Sequence, residues 1–466
     1  MIPLTLAEIA EITGAELAGA DPEARVTGPV EFDSRRVSRG GLFVAFPGEK
    51  VDGHDYAGVA LAAGAVAVLG SRPVQGVPML VVPDALTAMG RLARAVRDRL
   101  PRLTVVGITG SSGKTTTKDL IAQTLAHRGA VVAPAGSFNN ELGLPYTVLK
   151  ATADTRYLVL EMGARGAGHI RYLCDIARPD IGVVLNVGVA HLGEFGSVDR
   201  IAVAKSELVT ALSPDGLAVL NADDPRVRAM AARAPGRVVL AGEADDAAVR
   251  AENVVLDERG RAGYQLVAGA ERADVRLGVA GRHQVGNTLL AAAVALSLGM
   301  ALPDVAAALS EAGLVSSRRM DVFDRADGVT VIDDSYNANP SSTGSALRAL
   351  AEMGRDRRTV AVLGYMAELG EYERAGHEEV GRLAAELGVD LLLVVGEPAA
   401  PIAAGAEANA SWGGKSVLVT DQDTAVAVLR DELRPGDVVL VKGSRYRTWD
   451  VADALRAATG AAEGVA

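Results

Sequence analysis

Leu103-Thr104-Val105-Val106-Gly107-Ile108-Thr109-Gly110-Ser111-Ser112-Gly113-Lys114-Thr115-Thr116 decides the reading of this 466-residue chain. An apolar, β-branched run leads into a glycine-rich turn, and the turn opens a helical pattern. Leu120, Ile121, Thr124 and Leu125 then share one face, and Gly129 stands where a helix would stop. Strand, Gly-Lys-Thr turn and helix in that order are the context of a phosphate-binding P-loop. The glycines let backbone N–H groups turn toward phosphate oxygens, and the helix N-terminus adds a partial positive charge. Lys114 is expected to reach the β- and γ-phosphates of a nucleotide, and the Thr115 hydroxyl to sit on Mg²⁺. Gly110, Ser111, Ser112, Gly113 and Thr116 complete the cradle. The spacing departs from G-x-x-x-x-G-K, whose first glycine would fall on Ile108, and no N-K-x-D guanine reader is found.

Outward from the loop, strands fit Tyr157 to Glu161, Ile181 to Leu185 and Leu217 to Leu220, with helices between them. Such alternation predicts a mostly parallel sheet covered on both faces. Residues 243–279 break the rhythm and read as a small β excursion with turns at Glu258-Arg259-Gly260 and Gly269. From about residue 317, strands at Val329–Ile332, Thr359–Leu363, Leu391–Val395, Ser416–Val419 and Val438–Val441 alternate with helices again, a second doubly wound pattern. Before residue 100, short apolar runs at Leu42–Phe46, Val66–Leu69 and Met79–Val82 precede a helix at Ala85–Leu100 that Pro101 ends. The expected fold is α/β in three domains. Residues 1–100 form a small α/β domain, 101–316 a central P-loop domain with a parallel sheet, and 317–466 a Rossmann-like doubly wound domain. The hinge is placed near 315–319.

Composition narrows the function. The formal net charge of −11 argues against a nucleic-acid partner. Arg91, Arg94, Arg97, Arg99 and Arg102 have the spacing of a solvated helix face. The single cysteine, Cys174, excludes an intramolecular disulfide and reads as a small core residue. The N-terminus lacks a secretory pattern and no apolar run is long enough to span a bilayer, so a cytoplasmic monomer is expected.

Other candidates fall at strand ends. Glu161 closes an apolar strand beside the P-loop strand, where a carboxylate would share the Mg²⁺. His191, in Asn186-Val187-Gly188-Val189-Ala190-His191, should converge on the same crevice as a ligand. Lys205, taken alone, reads as half of a surface ion pair. Asp333-Asp334-Ser335-Tyr336-Asn337-Ala338-Asn339 is denser in polar groups than a helix cap requires, which favours binding. Val441-Lys442-Gly443-Ser444-Arg445, a strand end carrying Lys, Gly, Ser and Arg, suits an anionic group.

Together these stretches resemble the Mur ligases, ATP-dependent ligases that build the peptidoglycan peptide, and the resemblance covers nearly the whole chain. Within the family, Asp33-Ser34-Arg35, Phe138-Asn139-Asn140-Glu141-Leu142-Gly143-Leu144-Pro145, Asp334-Ser335-Tyr336-Asn337-Ala338-Asn339-Pro340 and Met366-Ala367-Glu368-Leu369-Gly370 look like the branch that takes a D-alanyl-D-alanine acceptor. The D-N-P-R string of the diamino-acid-adding branch is absent. The resemblance implies an amide ligase that activates the carboxylate of UDP-N-acetylmuramoyl-tripeptide as an acyl phosphate. It implies that Asp33, Ser34 and Arg35 lie near the UDP nucleotide, and that Lys114 and Thr115 meet the ATP phosphates and the first Mg²⁺, with Glu161 sharing that metal. It also implies His191 on a second Mg²⁺, Lys205 at a position carbamylated in several members, and Asn139 and Asn140 near the phosphates. Asn287 and Arg319 would approach adenosine, and Asp334 and Asn337 would close over the nucleotide. Gln284 stands where the family usually has Asn, and Tyr365 where Asp is usual. The alternatives are a related ligase with a diaminopimelate or lysine acceptor, or a nucleotide-binding switch without amide chemistry.

Overall fold

The computed structural model describes residues 1–48, 51–189, 192–444 and 446–457. Among them, each block of the sequence builds its own sheet. The first runs Glu16–Ala18, Met79–Val81, Ala65–Gly70, Gly41–Val44, Val30–Glu31 across its width and is parallel apart from the first pair.

In the middle sheet the P-loop strand, Thr104–Thr109, lies between Tyr157–Glu161 and Ile181–Val184. All three are parallel and buried, as a helix-covered sheet demands. Glu161 pairs with Ile108 and Val184 with Thr109, so the carboxyl ends of all three strands stop at one level. A crevice outside those ends is where doubly wound sheets take ligands. The expected β excursion is not a separate piece. After Leu217–Asn221 and Arg237–Gly242, the strands Val249–Leu256, Arg261–Ala268 and Glu271–Ala280 continue the same sheet to nine strands, the last two pairings antiparallel. Their buried residues alternate, Ala262, Tyr264 and Leu266 facing inward, because only one face is covered.

The third sheet has the order Asp321–Asp324, Thr330–Asp333, Val438–Lys442, Thr359–Gly364, Leu391–Val395, Lys415–Val419, parallel after the first pair. The edge strand Asp321–Asp324 has no apolar run and was not expected from the sequence.

The apolar packing divides the chain unevenly. One buried cluster runs without a break from Leu4 and Leu42 in the first block, through Leu92 and Val96, to Leu158, Leu208 and Met230 in the middle one. The third block has clusters of its own, around Leu350 and Leu440 on one face of its sheet and Val362 and Leu393 on the other. Two of the arginines read as a solvated face fasten the first two blocks: Arg94 donates to Asp175 O, and Arg97 to Ala177 O, Arg178 O and the Asp180 carboxylate. Arg91 bonds Thr13 O within the first block. Helix His169–Ala177 ends there with carbonyls that have no partner in their own helix, and guanidinium groups satisfy them. Arg99 remains exposed as expected. Cys174 is a core residue, its thiol pushed up to about 12 by burial. Among the described residues, no helix is long and apolar enough to cross a membrane.

Candidate active site

The loop takes its shape from glycine and from one asparagine. Gly113 has φ +79°, and a Cβ there would lie 2.8 Å from Asn287 Oδ1. A Cβ on Gly110 would lie 2.9 Å from that of Leu185. Asn186, just past the neighbouring strand, accepts from Ser111 N (2.9 Å) and Ser112 N (3.0 Å) through Oδ1 and donates to Ser112 O (3.2 Å). That clamp turns the remainder of the loop into helix Lys114–Ala126, whose first-turn N–H groups have no partner within the helix. Lys114 curls back to Gly110 O at 2.8 Å. Burial, with a smaller push from Arg319, holds its ammonium below the ordinary lysine value, while Glu161 opposes the shift.

Glu161 faces the loop as its strand position requires. It accepts from Thr115 Oγ1 on one oxygen (2.8 Å), and from Ser137 Oγ (2.9 Å) and Asn139 Nδ2 (2.7 Å) on the other. A buried hydroxyl and carboxylate at that distance, open to a polar cleft, are oxygen donors of the kind Mg²⁺ takes together with nucleotide phosphates. The donor set therefore fits the ion. Asn140 lines the cleft but commits its side-chain oxygen to Gly143 N (2.9 Å), capping the next helix. His191 lies outside the described residues.

Lys205 corrects the sequence reading. It sits eight residues into helix Val198–Thr210, is 6 % exposed, and makes no ion pair among the described residues. Burial, and then the Lys114 charge, hold its amine well below the ordinary lysine range. A surface partner is impossible because this face of the helix packs beneath the cleft, which Lys205 lines.

The third sheet supplies the opposite wall. Asp334 bonds Lys442 Nζ and accepts from Met320 N (3.1 Å), and Lys442 also donates to Asn337 O (2.9 Å). Lys442, read at even odds as an anion ligand, is thus buried and already paired. Asn337 Oδ1 accepts from Ala338 N at 2.9 Å. Arg319 extends into the cleft, donates to Thr115 Oγ1 at 3.2 Å and stacks over Tyr336 with its guanidinium 4.1 Å from the ring centroid. Its buried Nε has no partner among the described residues. Asn287, whose amide donates to Gln284 Oε1 (2.7 Å), stands at the same junction, so the Gln284 departure still leaves a partner that orients Asn287. The cleft enclosed between the walls measures about 910 Å³. Arg165, His169, Tyr172 and His283 also line it. None of these was singled out, since their only signal is spatial.

The walls meet on bare backbone. A Cβ on Gly193 would lie 2.6 Å from Gly370 N, and one on Gly370, which has φ +56°, would lie 2.4 Å from Gly193 Cα. Gly370→Ala should hold the walls apart. The expected result is a kcat lowered at least tenfold, read by steady-state kinetics, because a 1 Å misplacement costs on the order of 10²-fold.

Two further stretches stand away from this cleft. Asp33, Ser34 and Arg35 form an exposed turn on the first sheet, where Asp33 and Arg35 pair at 2.7 Å and the guanidinium lowers the Asp33 carboxyl to about 2. Next to that turn, Glu31 accepts from Tyr146 OH (2.9 Å), which ties the first sheet to the middle block. Tyr365 stacks on buried His377 with centroids 5.2 Å apart and bonds Glu373 at 2.5 Å.

A phosphate turn with a half-buried lysine, an oxygen pair suited to a hard cation and a second wall carried by a separate α/β unit define a P-loop enzyme of phosphoryl transfer. The chain belongs to the Mur ligase family and is an ATP-dependent ligase. The family's models match in order: "Mur ligase family, catalytic domain" at residues 29–97, "Mur ligase middle domain" at 108–295 and "Mur ligase, glutamate ligase domain" at 318–445. A UDP-N-acetylmuramoyl-tripeptide–D-alanyl-D-alanine ligase of Mycobacterium tuberculosis is 51 % identical over 98 % of this chain and 98 % of its own. The crystal structure of MurF from Acinetobacter baumannii superposes with a TM-score of 0.88 at 31 % identity, covering 97 % of this chain and 99 % of the other. MurF ligase from Thermotoga maritima, solved in complex with ADP, gives 0.80 at 31 % identity, covering 93 % and 98 %.

Proposed function

We propose that this chain joins D-alanyl-D-alanine to UDP-N-acetylmuramoyl-tripeptide, consuming ATP and releasing ADP and phosphate. The observation that carries the reading is the meeting of P-loop, Glu161 and third-sheet wall at one cleft, on a chain half identical from end to end to a ligase of that name. Residues 1–100 hold the UDP end through Asp33, Ser34 and Arg35. Residues 101–316 hold ATP, and 317–466 bring the acceptor and close on the nucleotide through Asp334 and Asn337, with Asn287 and Arg319 at the junction.

A carboxylate oxygen of the tripeptide attacks the γ-phosphorus, and the bond to the β-bridging oxygen breaks with ADP as leaving group. The charge that grows on the transferring oxygens is met by Lys114 and the loop N–H groups. The dipeptide amine then attacks the acyl carbon, loses a proton and expels phosphate. Closure of the walls excludes water, which would hydrolyse the acyl phosphate. Mg²⁺, when bound, supplies a Lewis acid for the phosphate oxygens. Thr115 and Glu161 would hold one ion, and His191 with Lys205 a second. Burial loosens the hold of Lys205 on its proton, the neutral amine is the form that adds carbon dioxide, and the carbamate would be an anionic ligand.

Release of ADP should require all three substrates at full rate. With UDP-N-acetylmuramoyl-tripeptide and ATP, coupled-assay turnover is expected to rise at least 10²-fold on adding D-alanyl-D-alanine, the scale on which a correctly bound substrate is selected. Diaminopimelate and lysine are expected to give no increase. A response to either of them instead would replace the acceptor assigned here.

A further inference from the structure

The P-loop helix buries a second lysine that the reaction does not use. Lys118, one turn past Lys114, has no exposed side-chain surface. Its ammonium donates to Pro134 O (2.5 Å) and Gly136 O (3.2 Å) and forms an ion pair with Asp119 Oδ1 (2.7 Å). The other Asp119 oxygen accepts from Ser316 Oγ at 2.6 Å. Ser316 belongs to the link between helix Leu302–Glu311 and strand Asp321–Asp324, the tether of the third sheet. The same helix grips that link again one turn later, where Gln123 and Gly313 exchange two bonds of 3.1 Å each.

Both ends of this path return to Glu161. From Gly136 the chain leads directly to Ser137 and Asn139, which hold Glu161 Oε1. From Ser316 it leads in three residues to Arg319, which donates to Thr115, and Thr115 holds Glu161 Oε2. Hydrogen bonds, the Lys118–Asp119 ion pair and two short stretches of chain close a ring with the carboxylate on one side and the tether on the other.

We propose that Lys118 and Asp119 are positioning residues that set the Glu161 carboxylate according to whether the tether of the third sheet is docked. The proposal rests on the reading of Glu161 as a metal ligand. A buried ammonium cannot release its carbonyls without losing partners that replace its lost hydration. The 134–139 segment and the Lys118–Asp119 pair therefore shift as one body. Ser316 and Arg319 dock or leave together, because only two residues of chain separate them. Docking fixes both oxygens of Glu161, and undocking frees Thr115 and Asp119 in a single movement. If Lys118 only fastened the 134–136 turn, the Ser316 hydroxyl would be irrelevant to Glu161.

The test uses the full-length chain loaded with ADP, with Mn²⁺ affinity read from the free-ion signal in electron paramagnetic resonance. Ser316→Ala, Lys118→Met, their double variant and Glu161→Gln are compared, with melting temperatures as the check on folding. Ser316→Ala is expected to weaken Mn²⁺ binding roughly tenfold, the effect typical of groups that orient a metal ligand, while melting within a degree or two of the parent. The double variant should be no weaker than Lys118→Met alone, since both break one path. Should Lys118→Met not fold, Ser316→Ala decides alone. Unchanged affinity in Ser316→Ala, with Glu161→Gln weakened, overturns the relay and leaves the Glu161 reading standing. Unchanged affinity in Glu161→Gln overturns both.

Discussion

Lys114→Ala should lower acceptor-dependent phosphate release by at least about 10³-fold, the scale of removing a preorganised charge from a phosphoryl-transfer site. The side chain is already curled over the loop onto Gly110 O, so bound phosphates meet it with little rearrangement. Burial weakens its hold on the proton, which means that the charge is best retained when anionic oxygens arrive beside it. Stability should move little, because removing a desolvated ammonium offsets the lost hydrogen bond. The measurement is steady-state phosphate release alongside a melting curve. Unmutated turnover with an unchanged melting temperature would remove the P-loop from the mechanism.

Lys205→Met should do two opposite things. Activity is expected to fall at least about 10²-fold, as loss of a metal-site ligand does. Stability is expected to rise by about 1–4 kcal/mol, because methionine fills the same buried space without a cation lacking a counter-ion. The pH dependence checks the cause. The folded pKa of Lys205 lies below its unfolded value, so between those values the unfolded chain binds more protons and stability climbs with pH. In carbonate-free buffer the parent should gain stability from below that window up to pH of about 10.4, and the methionine variant should lack that part of the gain. A variant that is both inactive and less stable would show that Lys205 acts through packing.

The fold was legible because its signals are local. Tyr157–Glu161 and Leu391–Val395 were read to the residue, since each is a short apolar run bounded by polar or small residues. The central loop declared its chemistry by type and order. What escaped depended on partners far along the chain. Arg94 and Arg97 look like a wet helix face until the carbonyls of residues 175–178 are set beside them. Lys205 carries no mark of burial in its own sequence, where Ser206 and Glu207 follow it. Asn186 could have been found, since an asparagine directly after a strand beside a P-loop is well placed to shape it. Asp334 and Lys442 were each noticed, but their pairing across 108 residues was not.

The unbroken apolar cluster shared by the first two sheets packs them as one body. On the proposed reading, a ligand at the Asp33 turn and one at the Lys114 loop would have their separation set when the chain folds. On the roles proposed above, timing falls to the third sheet alone: the electrophile would be prepared on one packed frame, and the nucleophile admitted by the unit that has clusters of its own.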